Sequence, residues 1–315
     1  MTDSIETPLV TIGIPTYNRA AGGNLQRVIE RALQQTYTNI EVIVSDNCSS
    51  DNTSDVVNSF DDSRLQYFPQ STNIGAVNNF NFCLDKAKGK FFLLFHDDDS
   101  VDPDFIETCL SSLEPGKDVG VVYTGIRVID QNDKILEEHE NNAGGLSALD
   151  FVLGWFHGEV ALFIPNSLYN TEYLKELGGF HSKHNLYVDL VPTFALQKKY
   201  GRVDIKDIKA SFRRHTSNMS YSTPMKLWIE DGVFLLDVLK KLFPDNAAEI
   251  SDIGGKYLCR KMYWKSWRRA GIVRRWLDYF RAYKAYNYCY SPFNYAYQKN
   301  IHGRIVRLKR RVGLA

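Results

Sequence analysis

Short apolar runs alternate with amphipathic stretches along the first 130 positions, and the two periods predict a regular β/α order. Leu9-Val10-Thr11-Ile12-Gly13-Ile14 reads as a strand ending at Pro15, followed by a helix from about Asn24 to Gln34. Ile40–Val44 is a second strand that ends at Ser45-Asp46, and Asp51 or Ser50 caps a helix reaching about Phe60. Leu65–Phe68 predicts a short strand, Ala76–Ala87 a helix, 90–95 a strand and Pro103–Leu113 a helix. Such alternation belongs to a doubly wound α/β sheet, whose right-handed crossovers would gather Thr16–Arg19, Asp46, Asn73 and Asp97–Asp99 at one edge. Val119–Tyr123 and Ile126–Ile129 read as two further strands, the second ending at the Asn132-Asp133 turn, and Asn141–Gly145 as a mobile loop. Helical patterns follow at 147–156, 171–177 and 188–200, then a strand near Ile208–Arg213. From about Met225 onward everything reads as helix, with breaks near Pro244, Gly254 and Gly271. The expected division is an α/β domain over 1–221 and a helical region over 222–315.

The strand Phe91-Phe92-Leu93-Leu94-Phe95 runs directly into His96-Asp97-Asp98-Asp99. Three adjacent carboxylates repel one another, and a bound divalent cation removes that repulsion; hard oxygen donors suit Mg²⁺ or Mn²⁺. Loops at the carboxyl ends of strands are also where open α/β sheets place their ligands. The plainer alternative is a solvated acidic turn before the helix that starts near Pro103.

Charge divides the chain. Residues 1–255 carry 22 Lys and Arg against 36 Asp and Glu, whereas 256–315 carry 16 against Asp278 alone, together with 14 aromatics. Arg260, Lys261, Trp264, Lys265, Trp267, Arg268 and Arg269 interleave the two kinds, and Arg274, Arg275, Trp276, Tyr279, Phe280 and Tyr283 continue the theme. Interleaving of this kind suits an anionic membrane surface, packing onto the catalytic domain or a second subunit, or nucleic acid. Nothing upstream resembles a nucleic-acid fold, so the expected partner of 256–315 is the membrane, with a homodimer as the other reading. No stretch approaches the ~20 apolar residues of a membrane-spanning helix, and Met1-Thr2-Asp3-Ser4 does not open a signal peptide. Five scattered cysteines without a CxxC pair argue against a disulfide framework or a zinc site and suit a reducing cytosol.

Taken in order, Pro15-Thr16-Tyr17-Asn18-Arg19, Ser45-Asp46-Asn47 with Ser49-Ser50-Asp51, Asn73-Ile74-Gly75, Asp97–Asp99, and Gly178-Gly179-Phe180 followed by Asp189 resemble the inverting family 2 glycosyltransferases over residues 8–215. The resemblance implies a GT-A nucleotide-sugar-binding fold, a mixed doubly wound sheet flanked by helices. It implies nucleobase contacts from Thr16, Tyr17 and Arg19, with simple packing as the other reading of Tyr17, Asn18 among the donor-nucleotide residues, and a base or ribose hydrogen bond to Asp46, which favours a pyrimidine. Asn73 would reach the ribose or diphosphate, while Gly75 permits close backbone approach. Asp51 reads rather as a helix cap. In this family a proline follows the metal-binding carboxylate by five residues, so Pro103 points to Asp98 as the Mg²⁺ or Mn²⁺ ligand, Asp99 as its support and Asp97 as the ribose contact. His96 stands where the family has its leading Asp.

The family draws its general base from a Glu-Asp pair after Gly-Gly-Phe. Val188-Asp189 holds that place, so Asp189 matches the base, with a charge at a helix N-terminus as its plainer reading. His181 and His184 would line the acceptor site or a surface loop. Arg213-Arg214-His215 resembles a basic loop near the diphosphate, which implies Arg214 and His215 as phosphate contacts, with exposed charges as the plainer reading. The activity so implied is metal-assisted, inverting transfer from a nucleotide sugar to a saccharide, lipid-linked in surface-polysaccharide synthesis, by an enzyme peripheral on the cytoplasmic face of the inner membrane. The alternatives are sugar transfer to polyprenyl phosphate, a non-catalytic sugar-nucleotide-binding scaffold, and a nucleotidyltransferase. The last normally needs a Gly-rich phosphate loop, which Gly13–Tyr17 does not supply.

Overall fold

A nine-stranded mixed sheet carries the first of two units in the computed structural model, which describes residues 7–214, 223–269 and 271–299. This unit comprises 7–181 and 188–214, and the second comprises 182–187 and 223–299. The strands are β1 (Val10–Thr16), β2 (Ile40–Asp46), β3 (Leu65–Pro69), β4 (Phe91–Leu94), β5 (Ser100–Val101), β6 (Val121–Ile129), β7 (Ile135–His139), β8 (Ser167–Asn170) and β9 (Arg202–Arg213). They lie in the order β3-β2-β1-β4-β8-β6-β9-β5, with β7 paired to β6. The first four run parallel, whereas β8 opposes both β4 and β6, β9 is parallel to β6, and β5 is antiparallel to β9. This is the flanked α/β sheet that the residue pattern implies.

Around the sheet lie α1 (Asn24–Leu33), α2 (Thr53–Asn58), α3 (Ala76–Lys86), α4 (Phe105–Ser111), α5 (Ala148–His157), α6 (Thr171–Glu176) and α7 (Leu190–Tyr200). On α1 the buried positions Leu25, Val28, Ile29 and Ala32 follow helical spacing and join Val10, Ile12, Ile14, Val42 and Val44 in the core. Fully burying one such side chain contributes about 1.5–3 kcal/mol. Gly13 lets α3 and β4 close onto β1, since an added Cβ would sit 2.8 Å from both Cys83 and Phe92.

Three expectations need correction. The two strands expected within 119–129 are one, because Thr124-Gly125 marks a register shift rather than a turn; a Cβ on Gly125 would sit 2.8 Å from the His139 carbonyl. The 141–145 segment is tied down: Arg202 donates to the carbonyls of Ala143 and Leu146 at 3.1 and 2.8 Å, and Asn141 to Asp204 at 3.2 Å. Gly254 does not break a helix, as described next.

The second unit contains α8 (Met225–Leu242), α9 (Ala247–Arg269), α10 (Ile272–Ala285) and a short helix over 292–299. Gly254 and Gly255 lie inside α9, where a Cβ on Gly255 would meet the Cys289 thiol at 3.1 Å. Tyr263 of α9 packs against Tyr279 and Tyr295 and donates to the Tyr290 carbonyl at 2.8 Å, while Tyr286 donates to the Ile229 carbonyl at 3.2 Å. The Lys265 ammonium is buried 3.7 Å from the centre of the Trp228 ring. Part of the basic aromatic tail is therefore core. The segment 182–187 is wrapped around Asp231 of α8, whose fully buried carboxylate accepts from Ser182 Oγ and from the amides of His184, Leu186 and Tyr187 at 2.8–3.1 Å. No helix among the described residues is long and apolar enough to cross a membrane.

Candidate active site

Register brings the candidate residues together. β1 and β2 end side by side, with Thr16 opposite Asp46, while Gly13 pairs with Leu94 and its carbonyl accepts from the Phe95 amide. The acidic turn thus emerges at the carboxyl edge of the three central parallel strands, where open α/β sheets bind ligands.

Thr16 donates from Oγ1 to Asp97 Oδ2 at 2.9 Å, and Arg19 Nε stands 3.6 Å from the other oxygen. Burial and the neighbouring Asp98 charge still push the Asp97 carboxyl up to about 6, against the pull of Arg19 and Thr16. Asp46 accepts from Tyr67 Oη at 2.8 Å and from the Ser49 amide at 2.9 Å; burial and this carboxylate together push the Tyr67 phenol up to about 12. Each Asp46 oxygen retains a second lone pair for a ligand donor.

Asn18, at φ +53°, braces the loops: its amide donates to Ser49 Oγ and its Oδ1 accepts from the Ser50 amide, both at 2.8 Å. Asp51 is a brace as well as a local turn former, accepting from the Ala20 amide at 3.1 Å and from Thr53. Tyr17 is 47% exposed beside them. Asn73 Oδ1 accepts from Asn47 Nδ2 and from the Gly75 amide, and Gly75 at φ +83° opens α3. Thr16–Arg19, Asp46 and Asp97–Asp99 therefore form one edge, with Asn73 joined to it through Asn47.

His96 and Asp99 carry the unusual chemistry. Asp99 Oδ1 accepts from the Arg213 amide at 3.0 Å, and His96 Nδ1 lies 3.5 Å from Asp99 Oδ2. Buried His96 Nε2 and Asp99 Oδ2 have no hydrogen-bond partner. Burial works against a charged imidazole, but the Asp99 carboxylate and then Asp98 and Asp97 outweigh it and hold His96 above its ordinary value. Burial likewise raises Asp99. His96, Asp98 and Asp99 each offer a ligand atom within 4.8 Å of the others. Two carboxylates and one imidazole, with one buried atom of His96 and one of Asp99 left without a partner, are a donor set that fits a divalent cation. His96 therefore stands in one cluster with the expected pair, Asp98 and Asp99.

The basic stretch divides by strand alternation. Arg213, which sequence reasoning had not singled out as a site residue, clamps the acidic turn: Nε donates to the Asp98 carbonyl at 2.9 Å, and the guanidinium reaches the Asp130 carbonyl and Asp133. Arg214 turns to β7 and pairs with Glu137 at 2.9 Å. His215 lies outside the described residues.

Gly178 and Gly179 both take positive φ, and a Cβ on Gly179 would collide with Asn81 Oδ1. That amide accepts from the Phe180 N–H at 2.8 Å and donates to its carbonyl at 2.9 Å. Phe180 is buried against Phe80, whose ring in turn lies 4.9 Å from His96. The glycine turn is thereby packed onto the acidic turn, and Asp189, half-buried, stands at the head of α7. His181 Nδ1 is 2.9 Å from the Gly179 carbonyl, whereas His184 Nε2 belongs to the second unit and bonds Glu230 at 2.7 Å.

Known proteins resemble this chain in sequence and in fold. An uncharacterized glycosyltransferase of Rickettsia typhi is 32% identical over 189 residues, 57% of this chain and 56% of its own length. The GalNAc(5)-diNAcBac-PP-undecaprenol beta-1,3-glucosyltransferase of Campylobacter jejuni is 30% identical over 192 residues, 58% of this chain and 60% of that one. These matches span less than two thirds of either relative. In fold, TarS 1-349 of S. aureus, solved with UDP-GlcNAc, superposes with a TM-score of 0.66 at 15% identity, covering 88% of this chain and 80% of that one. The mannosyltransferase PcManGT of Pyrobaculum calidifontis, solved with GDP-Man and Mn²⁺, gives 0.58 at 16% identity over 98% of this chain and 83% of its own. The model of glycosyl transferase family 2 matches residues 11–185, more than half of the chain, and with its GT-A sheet this protein belongs to that family.

Proposed function

We propose that the chain is an inverting, metal-dependent glycosyltransferase. It moves a sugar from a pyrimidine-nucleotide donor to a hydroxyl of a lipid-linked saccharide, at the cytoplasmic face of the inner membrane, in surface-polysaccharide synthesis of the O-antigen or capsule type. The observation that carries this reading is the convergence of Thr16, Arg19, Asp46 and Asp97–Asp99 at one sheet edge, with buried atoms of His96 and Asp99 left without a hydrogen-bond partner. The undecaprenol-linked substrate in the Campylobacter relative's name supports the lipid-linked acceptor.

Thr16, Tyr17, Asn18 and Arg19 cradle the nucleobase, Asp46 accepts its N–H or a ribose hydroxyl, and Asp97 takes the ribose from the other side. Asn73, Gly75, Arg214 and His215 complete the expected donor contacts. His96, Asp98 and Asp99 would hold the cation, which when bound neutralises charge on the departing diphosphate. Asp189 removes the acceptor hydroxyl proton as that oxygen bonds to the anomeric carbon. The bond to the diphosphate oxygen breaks with its electron pair leaving on the diphosphate, and attack from the opposite face inverts the centre.

The test is to incubate the chain with a panel of nucleotide sugars, Mn²⁺ and lipid-linked saccharides, following nucleoside diphosphate release and the product anomer by NMR. An inverted product, with Asp189→Asn slower by about 10²-fold or more, is expected. If Asp189→Asn spares turnover on polyprenyl phosphate, an acceptor that is already anionic, the saccharide reading is replaced by that one. No turnover of any donor by folded protein leaves a scaffold.

A further inference from the structure

The tail's composition leaves open which of its residues face a partner, and α10 divides them. Asp278, Tyr279 and Ala282 form its buried face. The opposite side carries Val273, Leu277 and Phe280, exposed by 72, 52 and 47%, and Ile272 in the first turn is 69% exposed. Trp276 lies between them at helical spacing and packs against Phe280 and Phe293 at centroid distances of 6.0 and 5.2 Å. Phe293, itself 62% exposed, and Tyr297, 68% exposed, one turn further along the 292–299 helix, extend the same stripe. A monomeric soluble surface rarely leaves such a contiguous set uncovered.

Charge identifies the partner. Arg274, Arg281 and Lys284 are exposed on α10, and Arg268 on α9 stacks over Trp264 at 4.8 Å. Asp278 is the single acid from 253 to 299, and it is turned inward, accepting from Ser266 Oγ at 3.1 Å with Arg281 3.5 Å away. No carboxylate of α10 or of the 292–299 helix faces outward. An apolar stripe with Trp and Phe, edged by cations and free of anions, matches the interface of a bilayer with anionic headgroups.

We propose that the Ile272–Phe280 face of α10, with Phe293 and Tyr297, is the surface by which this protein docks on anionic phospholipid. Tyr263, Tyr279, Tyr286, Tyr295 and Lys265, although part of the same composition signal, are interior and hold the stripe in place. The docking stands on the helical unit alone and requires neither the metal site nor Asp189.

The experiment is sedimentation of the full chain with phosphatidylglycerol/phosphatidylcholine vesicles and with phosphatidylcholine alone, beside Val273→Asp/Leu277→Asp and Arg274→Glu/Lys284→Glu variants. Circular dichroism and light scattering report folding and mass. The expected result is salt-sensitive binding to the anionic vesicles, weakened about tenfold or more by either variant, with the donor-nucleotide affinity of each unchanged. Absence of binding by the folded parent overturns the proposal, as does binding that survives both variants. A dimer split by Val273→Asp/Leu277→Asp, without vesicle binding, gives the stripe to a second copy and also overturns it.

Discussion

Asp97→Asn separates stability from function in a way that the buried carboxylate makes quantitative. Asp97 is 9% exposed and its carboxyl is held at about 6, against an ordinary 3.8. An acid whose folded value is raised contributes its full stability below the unfolded value, and loses it as pH rises through the folded one. For Asp97 that loss runs between about pH 4 and 6 and amounts to about 3 kcal/mol in the metal-free chain. Asparagine carries no charge, and its amide oxygen still accepts from Thr16. The contact with Arg19 at 3.6 Å is given up, so ~3 kcal/mol is an upper value. In thermal melts with a chelator present, Asp97→Asn should exceed the parent by several degrees at about pH 8 and match it at about pH 4, using ~2–4 °C per kcal/mol. The same variant should lose nucleotide affinity. Equal pH profiles for the two proteins, or a variant less stable at about pH 8, would refute the argument that this edge stores charge for a ligand to relieve.

Two further substitutions test the scaffold. Gly179→Ala places a Cβ against Asn81 in a backbone at φ +70°, and should destabilise the first unit by about 2 kcal/mol or more in urea titration; a neutral effect would mean that the turn is not held by that amide. Asp231→Ala removes the acceptor for four donors of 182–187 and should cost about 3 kcal/mol or more, with faster amide exchange at His184, Leu186 and Tyr187 as its signature.

The parts of the fold that were readable from sequence are those where burial imposes a clear period. β1, β2 and β4 are buried throughout and largely apolar because helices cover both faces, and their carboxyl ends and turns carry the polar residues that converge. β7 escaped notice because Ile135–Glu138 are exposed and show no alternation, β8 because four residues are too few to establish one. Thr124-Gly125 fell between two expected strands because its polarity and glycine interrupt the apolar pattern, although a close backbone approach to the strand demands the glycine. At the site, Asp97–Asp99 were legible as adjacent charges. The capture of Arg213 by the acidic turn was not, since it depends on β5 pairing antiparallel to β9, a contact across more than a hundred residues. The place of His96 beside Asp98 and Asp99 was likewise not legible, since it depends on how the turn packs.

The central claim is tested most directly by isothermal titration of the full chain with UDP, CDP, GDP and dTDP, each with and without Mn²⁺. The account predicts that one pyrimidine nucleotide binds, that binding requires the metal, and that Asp98→Ala abolishes it while leaving the fold intact. Metal-independent binding that Asp98→Ala does not disturb, or no binding to any of the four by folded protein, would contradict it.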